Sequence, residues 1–513
     1  MTDNRSLSSD PAIASPTHTQ EQAKTAVSSH PAPAEIPLPG ARTALILLLL
    51  INLFNYIDRQ ILSANVTPIE RQLLPYREPD SVRLSSTIGL LTSPSGYAPL
   101  TAAAALHPLR AEQGRDNKER IGDLAFAFMV SYMLIAPVFG WLANHFRRWR
   151  LIAVGVVLWS LASGASGLAG TLHDSKWVAA GGVGVFFGSF GFLLLTRCFI
   201  GVGEAAYGPI APTLISDLYP VKIRGSVLAW FYAAIPVGSA LGYFVGGKFG
   251  WPDAFYWVVP PGLALGLWCW LMPEPKSGQA DLTHDQPVRQ PRLREYLVLL
   301  RTPSYVLDTL GMTAMTFSIG GIAIWMPDYI YAYRGQPDLD RVTTIFGGIV
   351  VVSGLGATLL GGIVSDRLRP RIAGSYFLVS GLSMLLAFPL FLAILYVDFP
   401  WAWILIFLAC FFLFFNTGPT NTILANVSHP AMRAQAFAIN ILIIHLFGDA
   451  YSPKIMGRIA DRFAVGGQAN MNAAFLAVSG MILLGALCWL AGTPFLARDT
   501  ALAPKRLDDP SSV

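Results

Sequence analysis

The first long apolar stretch sets the physical problem for the whole chain. From Leu45 to Ile51 it carries no charge, and it continues as Asn52-Leu53-Phe54-Asn55-Tyr56-Ile57-Asp58-Arg59. A helix needs roughly 20 residues, at 1.5 Å each, to cross about 30 Å of hydrocarbon. Residues 41–68 meet that length, which places Asp58 and Arg59 in the second half of a membrane span. A charge near the centre of such a helix costs on the order of 2.5–3.5 kcal/mol on insertion scales, so it faces a polar cavity and does a job there. The adjacent pair is the first candidate site.

Comparable runs follow near 121–145, 149–171, 188–218, 224–248 and 253–273, and a second set near 305–332, 342–366, 373–397, 401–427, 432–460 and 471–495. The fold class expected is an all-α membrane protein of twelve transmembrane helices in two six-helix bundles. Residues 41–273 form the first bundle, with a long outer loop at 69–119; 274–302 form a polar linker and 303–497 the second bundle. The tails, 1–40 and 498–513, are expected to be cytoplasmic, the first of them disordered because it is rich in Ser, Thr, Pro and Ala. It has no basic start, apolar core and cleavage site of a secretory signal, so the first span is expected to stay.

Composition agrees, with 53% hydrophobic and 13% charged residues against roughly 25% charged in soluble domains. The formal charge of +5 comes from short basic clusters between apolar runs, which fits an anionic membrane leaflet and not nucleic acid. Arg147, Arg148 and Arg150, then Lys222 and Arg224, then Lys276, Arg289, Arg292 and Arg294, then Arg367, Arg369 and Arg371 follow even-numbered spans. The positive-inside rule makes that side cytoplasmic, and both termini with it. The four cysteines lie inside apolar runs without metal-ligand spacing and read as buried thiols.

The halves echo one another. Gly140-Trp141-Leu142-Ala143-Asn144-His145-Phe146-Arg147-Arg148 corresponds to Gly362-Ile363-Val364-Ser365-Asp366-Arg367-Leu368-Arg369-Pro370, and Pro220 to Arg224 resembles Pro430 to Arg433. Such repeats imply a cleft between the halves with a substrate site near the membrane midplane.

These loops, with Arg197-Cys198-Phe199-Ile200-Gly201-Val202-Gly203-Glu204-Ala205, resemble the motifs of the major facilitator superfamily. Asn55 to Arg59, Gly201 to Ala205 with Ala211-Pro212-Thr213, and His445-Leu446-Phe447-Gly448-Asp449-Ala450-Tyr451-Ser452-Pro453 resemble its Spinster branch over roughly residues 41–497. The resemblance implies a bacterial inner-membrane carrier working as one chain by alternating access. It also implies lysophospholipid or sphingoid substrates and coupling to protons. In the family layout the first and fourth spans line one wall of the cavity, where Asp58, Arg59 and Glu204 could meet.

Two departures stand out. Asn144 replaces the aspartate usual in the first cytoplasmic loop, whereas Asp366 keeps it in the second, so the cytoplasmic gate of Asn144, Arg148, Asp366, Arg367, Arg224 and Arg433 is expected to be weaker on one side. The segment 69–119 is long and interrupted by prolines; its apolar part rests on the membrane or the outer mouth, or is a disordered insertion.

A carboxylate whose surroundings alternate between wet and dry beside a movable arginine can bind and release a proton. Asp58 and Glu204 are the candidates to exchange one, with Arg59 moving between them; the competing reading is a static ion network that holds helices together. Arg59 and Arg197 serve either as packing counter-ions or as contacts to a substrate anion. His445 and Asp449, four apart, share a face and form a packing pair or a gate or substrate contact. No further His or Cys completes a metal site there. Tyr56 and the Asn416-Thr417-Gly418-Pro419-Thr420-Asn421 cluster, with Asn416, Thr420 and Asn421 polar amid apolar residues, are expected along the substrate path. No catalytic or phosphate-binding motif competes, and no cofactor is expected. Alternatives within the same fold are a drug exporter, a carrier of small organic anions, and an uncoupled lipid facilitator or sensor.

Overall fold

The computed structural model describes residues 36–74, 117–143, 145–173, 184–275, 296–429, 432–465 and 468–506. Six helical spans precede residue 276: Ala41–Ala64, Asn117–Leu142, Arg148–His173, Gly184–Ala205 with Ala211–Leu218, Val221–Phe249, and Asp253–Trp257 with Val259–Leu271. Six follow residue 295: Pro303–Asp328, Leu339–Leu368, Ser375–Ile394, Trp401–Phe414 with Thr417–Val427, Arg433–Ile444 with Ser452–Arg462, and Met471–Gly492. Eleven are long and apolar enough to cross a membrane, and the 29-residue Val221–Phe249 completes the set in fifth place. The fold is the all-α, twelve-helix arrangement expected from the sequence. The ends near residues 275 and 296 define a linker side; the opposite ends define the far side.

Several expected spans are broken, each for a local reason. The first stops at Ala64, not at 68, because Asn65 turns its side-chain amide back to the carbonyls of Ile61 and Gly246, at 2.8 and 3.1 Å. A short helix, Val66–Leu73, follows. The fourth is interrupted between Ala205 and Ala211, ahead of Pro212, which has no N–H to extend a helix inward. The eleventh opens into a wide turn over His445–Asp449, where Gly448 leaves helical geometry at φ −96° and ψ −105°.

Packing of the first span against the fifth depends on glycine. Gly238, Gly242 and Gly246 recur every four residues, and side chains there would collide with Leu53, Ile57 and Ala64. The stripe lets two backbones approach, which is how helices associate where lipid supplies no hydrophobic drive. It also sets the rotation of the first span, and with it where Asp58 and Arg59 point.

The two halves meet at the far side. Four ion pairs join them there among the described residues: Lys118–Asp328 at 2.8 Å, Lys454–Asp123 at 2.7 Å, Arg458–Glu119 at 2.5 Å and Lys248–Asp340 at 3.8 Å. The fifth span also reaches across, with Tyr243 donating to the Ala323 carbonyl at 2.8 Å and its ring edge-on to Phe346.

The second bundle does not end at 497. Helix Leu496–Leu502 folds against the linker side, where Asp499 accepts the Ser304 N–H at 2.9 Å in the first turn of the seventh span. Arg506 holds Asp499 at 2.9 Å and also donates to Thr302 and the Val427 carbonyl. The segment expected as a tail from 498 is helical at its start, where a buried carboxylate is offered to an unsatisfied helix N-terminus.

Candidate functional site

Adjacent residues on a helix point about 100° apart, and the structure uses that divergence. Asp58 faces the third and fourth spans and is fully buried. Ser163 donates its hydroxyl to Asp58 Oδ1, while Oδ2 has no partner among the described residues. Arg197, 2% exposed, lies within electrostatic reach of Asp58 and has no partner for Nε and Nη1 among the described residues, its guanidinium 5.6 Å from the centre of the Phe128 ring.

Arg59 faces the other way and grips Glu204. Its Nε and Nη2 both donate to Glu204 Oε2, at 2.8 and 2.6 Å. Asn55 stands against the same carboxylate. Three rings frame the guanidinium, Tyr56 at 5.0 Å, Phe128 at 4.9 Å and Tyr132 at 5.8 Å. The Glu204 side chain is wholly buried, whereas that of Arg59 is 19% exposed, so the cation is the member that can be reached. Rings around a cation attract it through their negative faces while keeping water out.

The second half supplies the opposite wall. His445 Nδ1 lies 3.0 Å from both oxygens of Asp449, across the wide turn of the eleventh span. This pair lies within electrostatic reach of Arg59, Tyr56 and Tyr132. The structure thus brings together Tyr56, Asp58, Arg59, Arg197, Glu204, His445 and Asp449.

The tenth-span cluster is placed differently. Asn416 and Thr420 are buried and bond to their own helix, at Leu413 and Asn416, while Asn421 is exposed and bonds to Thr417. Arg148 lies within the first half, between Asp217 at 2.5 Å and Glu274 at 2.9 Å. Asp366 accepts from the Tyr376 hydroxyl at 2.7 Å, and Arg367 and Arg433 are exposed. Asn144 and the side chain of Arg224 lie outside the described residues, as does most of the 69–119 segment.

Sequence reasoning missed Asn55, Phe128, Tyr132 and Ser163 as members of the site. One signal was present: Ser160, Ser163 and Ser166 recur every three residues and are all fully buried. Three hydroxyls on one face of an apolar span mark the side turned to a polar partner.

Comparison with known proteins adds an independent line. Residues 48–453 match the family model described as Major Facilitator Superfamily. The chain is 34% identical over 398 residues to Protein spinster homolog 1 of Homo sapiens, covering 73% of this chain and 72% of that protein. It is 30% identical over 421 residues to Sphingosine-1-phosphate transporter SPNS2 of Danio rerio, covering 75% and 79%. Among solved structures it resembles a bacterial homolog of the human lysosomal transporter Spinster, inward-facing and unoccupied, with TM-score 0.66, 19% identity, and coverage of 91% and 98%.

Proposed function

Since the chain belongs to the major facilitator superfamily, in its Spinster branch, and is a secondary transporter and not an enzyme, we propose that it moves amphipathic, lipid-like molecules by proton-coupled alternating access. The observation that carries the coupling is the divergence of Asp58 and Arg59. One cation pairs with Glu204 while the neighbouring carboxylate is held by Ser163 and faces Arg197. A small movement of Arg59 away from Glu204 leaves a buried carboxylate without its counter-charge, and such a group takes up a proton.

In this reading Arg59, reachable beside Tyr56 and Tyr132, meets the anionic part of the substrate, and His445 with Asp449 closes on it from the second half. Binding that draws Arg59 from Glu204 would thereby favour proton uptake. The substrate class is supported by the zebrafish relative, whose name identifies it as a sphingosine-1-phosphate transporter. The clustered arginines of the linker side support a cytoplasmic location for it under the positive-inside rule, and in this reading Arg148, Asp366, Arg367 and Arg433 belong to the cytoplasmic gate. With the halves joined at the far side, the conformation described is closed to the exterior.

The test is uptake of a labelled lysophospholipid into proteoliposomes, with and without an imposed proton gradient, for the unmodified chain and Glu204→Gln. Gradient-driven uptake that the substitution abolishes is the expected result. Uptake indifferent to both overturns the coupling and favours a facilitator. No uptake of lysophospholipid or sphingoid, alongside movement of a small organic anion, overturns the substrate class.

A further inference from the structure

The far-side junction has a polarity of its own. At its core every donor belongs to the first half and every acceptor that crosses to it belongs to the second. Lys118, 3% exposed, gives its ammonium to Asp328, and Thr67 donates its hydroxyl to the same carboxylate at 2.5 Å. Asp461, from the eleventh span, accepts the backbone N–H groups of Lys118 and Glu119 at 3.4 and 2.8 Å. The first turn of the second span is therefore capped by a carboxylate from the other half of the protein. At the rim the polarity is mixed, with Arg458 and Lys454 of the second half on Glu119 and Asp123 of the first, and Lys248 of the first 3.8 Å from Asp340 of the second.

Close approach makes these bonds possible. A side chain at Gly122 would stand 2.5 Å from Lys454 Cα, and one at Gly457 would collide with the Lys118 carbonyl. The two backbones are in contact where the charges meet. Lys118 also has a partner that never crosses: Glu70, in the short helix after the first span, lies 2.7 Å from Nζ. When the halves part, Lys118 keeps Glu70 and gives up Asp328, the Trp325 and Tyr333 rings that lie 5.4 and 5.3 Å from its ammonium, and the backbone bond to Asp461.

We propose that Lys118, Asp328 and Asp461 form a reversible latch that holds the far side shut, with Glu70 as the resting partner of the lysine in the open state. Nothing in it touches the Asp58–Arg59–Glu204 site, so it sets the balance between conformations without entering the coupling chemistry. The borrowed cap makes the latch sensitive to backbone separation. A carboxylate cap is lost as soon as the helix end withdraws, whereas a long lysine can follow its partner some distance.

Pulsed dipolar spectroscopy tests this on the full chain in detergent and in liposomes. Spin labels go on cysteines introduced at Phe146 and Ile372, exposed positions on the linker side of either half, with the native cysteines replaced by alanine. The unmodified chain is expected to favour the long distance, linker side open. Asp461→Ala is expected to lower the ratio of long to short distances about fivefold, as loss of a helix cap does. Lys118→Met is expected to lower it by more than about tenfold, because Asp328 is left buried without a counter-charge. Asp461→Asn, whose amide oxygen still accepts from N–H groups, is expected to retain most of the ratio. Gly457→Ala acts by contact alone and is expected to shift in the same direction as Asp461→Ala, which keeps the test decisive should Lys118→Met fail to fold. Distance distributions for Asp461→Ala and Gly457→Ala that superimpose on the unmodified chain overturn the proposal.

Discussion

Two buried ion clusters of similar composition sit at different places in the mechanism. In the interior of the first bundle, Arg59 serves Glu204 beside Asp58 and Arg197, all within the first half. At the far side, Lys118 serves Glu70 within its own half and Asp328 across the boundary. The first cluster can persist through a rocking motion, since its members ride on one body. The second must break each time the far side opens. Charge buried inside a rigid body is suited to holding a proton, and charge buried between bodies is suited to setting which conformation is populated.

Glu204→Gln should produce the largest effect that separates them. Gradient-driven transport is expected to fall to background while the linker-side distance distribution is unchanged, as read from proteoliposome flux and spin-label distances on the same preparation. Next is Arg59→Met, which leaves the wholly buried Glu204 without its counter-charge and is expected to cost about 3–5 kcal/mol of stability. Adding Glu204→Gln should recover most of that loss in a double-mutant cycle followed by thermal unfolding. Lys118→Met, in contrast, can relieve its stranded Asp328 by opening the far side, so it should cost less stability than Arg59→Met. Equal losses for the two would erase the distinction. Ser163→Ala is expected to cost about 1 kcal/mol, the worth of one hydrogen bond, and to alter the pH dependence of transport without moving the spin-label distances. The smallest effect is that of Asp499→Asn, about 1 kcal/mol or less, since the amide oxygen still accepts the Ser304 N–H and keeps a bond to Arg506, measured as a lower unfolding temperature.

The architecture was legible because hydrophobic length is a local property. Twelve apolar runs and a polar interval near 274–302 are enough to count helices and divide them. The charged members of the central site were legible for a related reason: Asp58, Arg59, Arg197 and Glu204 are costly inside apolar helices and stand out in a linear reading. Their ring partners Phe128 and Tyr132 were not, since an aromatic in a span looks the same whether it faces lipid, a neighbour or an arginine. The latch was hidden differently. Lys118 and Asp461 lie near the ends of their spans, where charge is cheap and unremarkable, and only the folded arrangement brings residues 343 positions apart into one bond. The breaks at Asn65, near Pro212 and at Gly448 were also missed. A span that bends keeps its hydropathy, and the signals were single residues inside long apolar runs.

The clip formed by Asp499 and Arg506 has a consequence for how the second half can move. It ties the chain just after the twelfth span to Thr302 and Ser304 at the start of the seventh and to Val427 at the end of the tenth. Three of the six spans of that half, the seventh, tenth and twelfth, are therefore strapped together at the linker-side rim. Strapped helices resist splaying, so these three move as one panel, as a hinged door turns without bending. Severing the strap, by truncating the chain ahead of Arg506, would turn that door into a curtain: the half could still cross the membrane but would transmit movement at one edge poorly to the other.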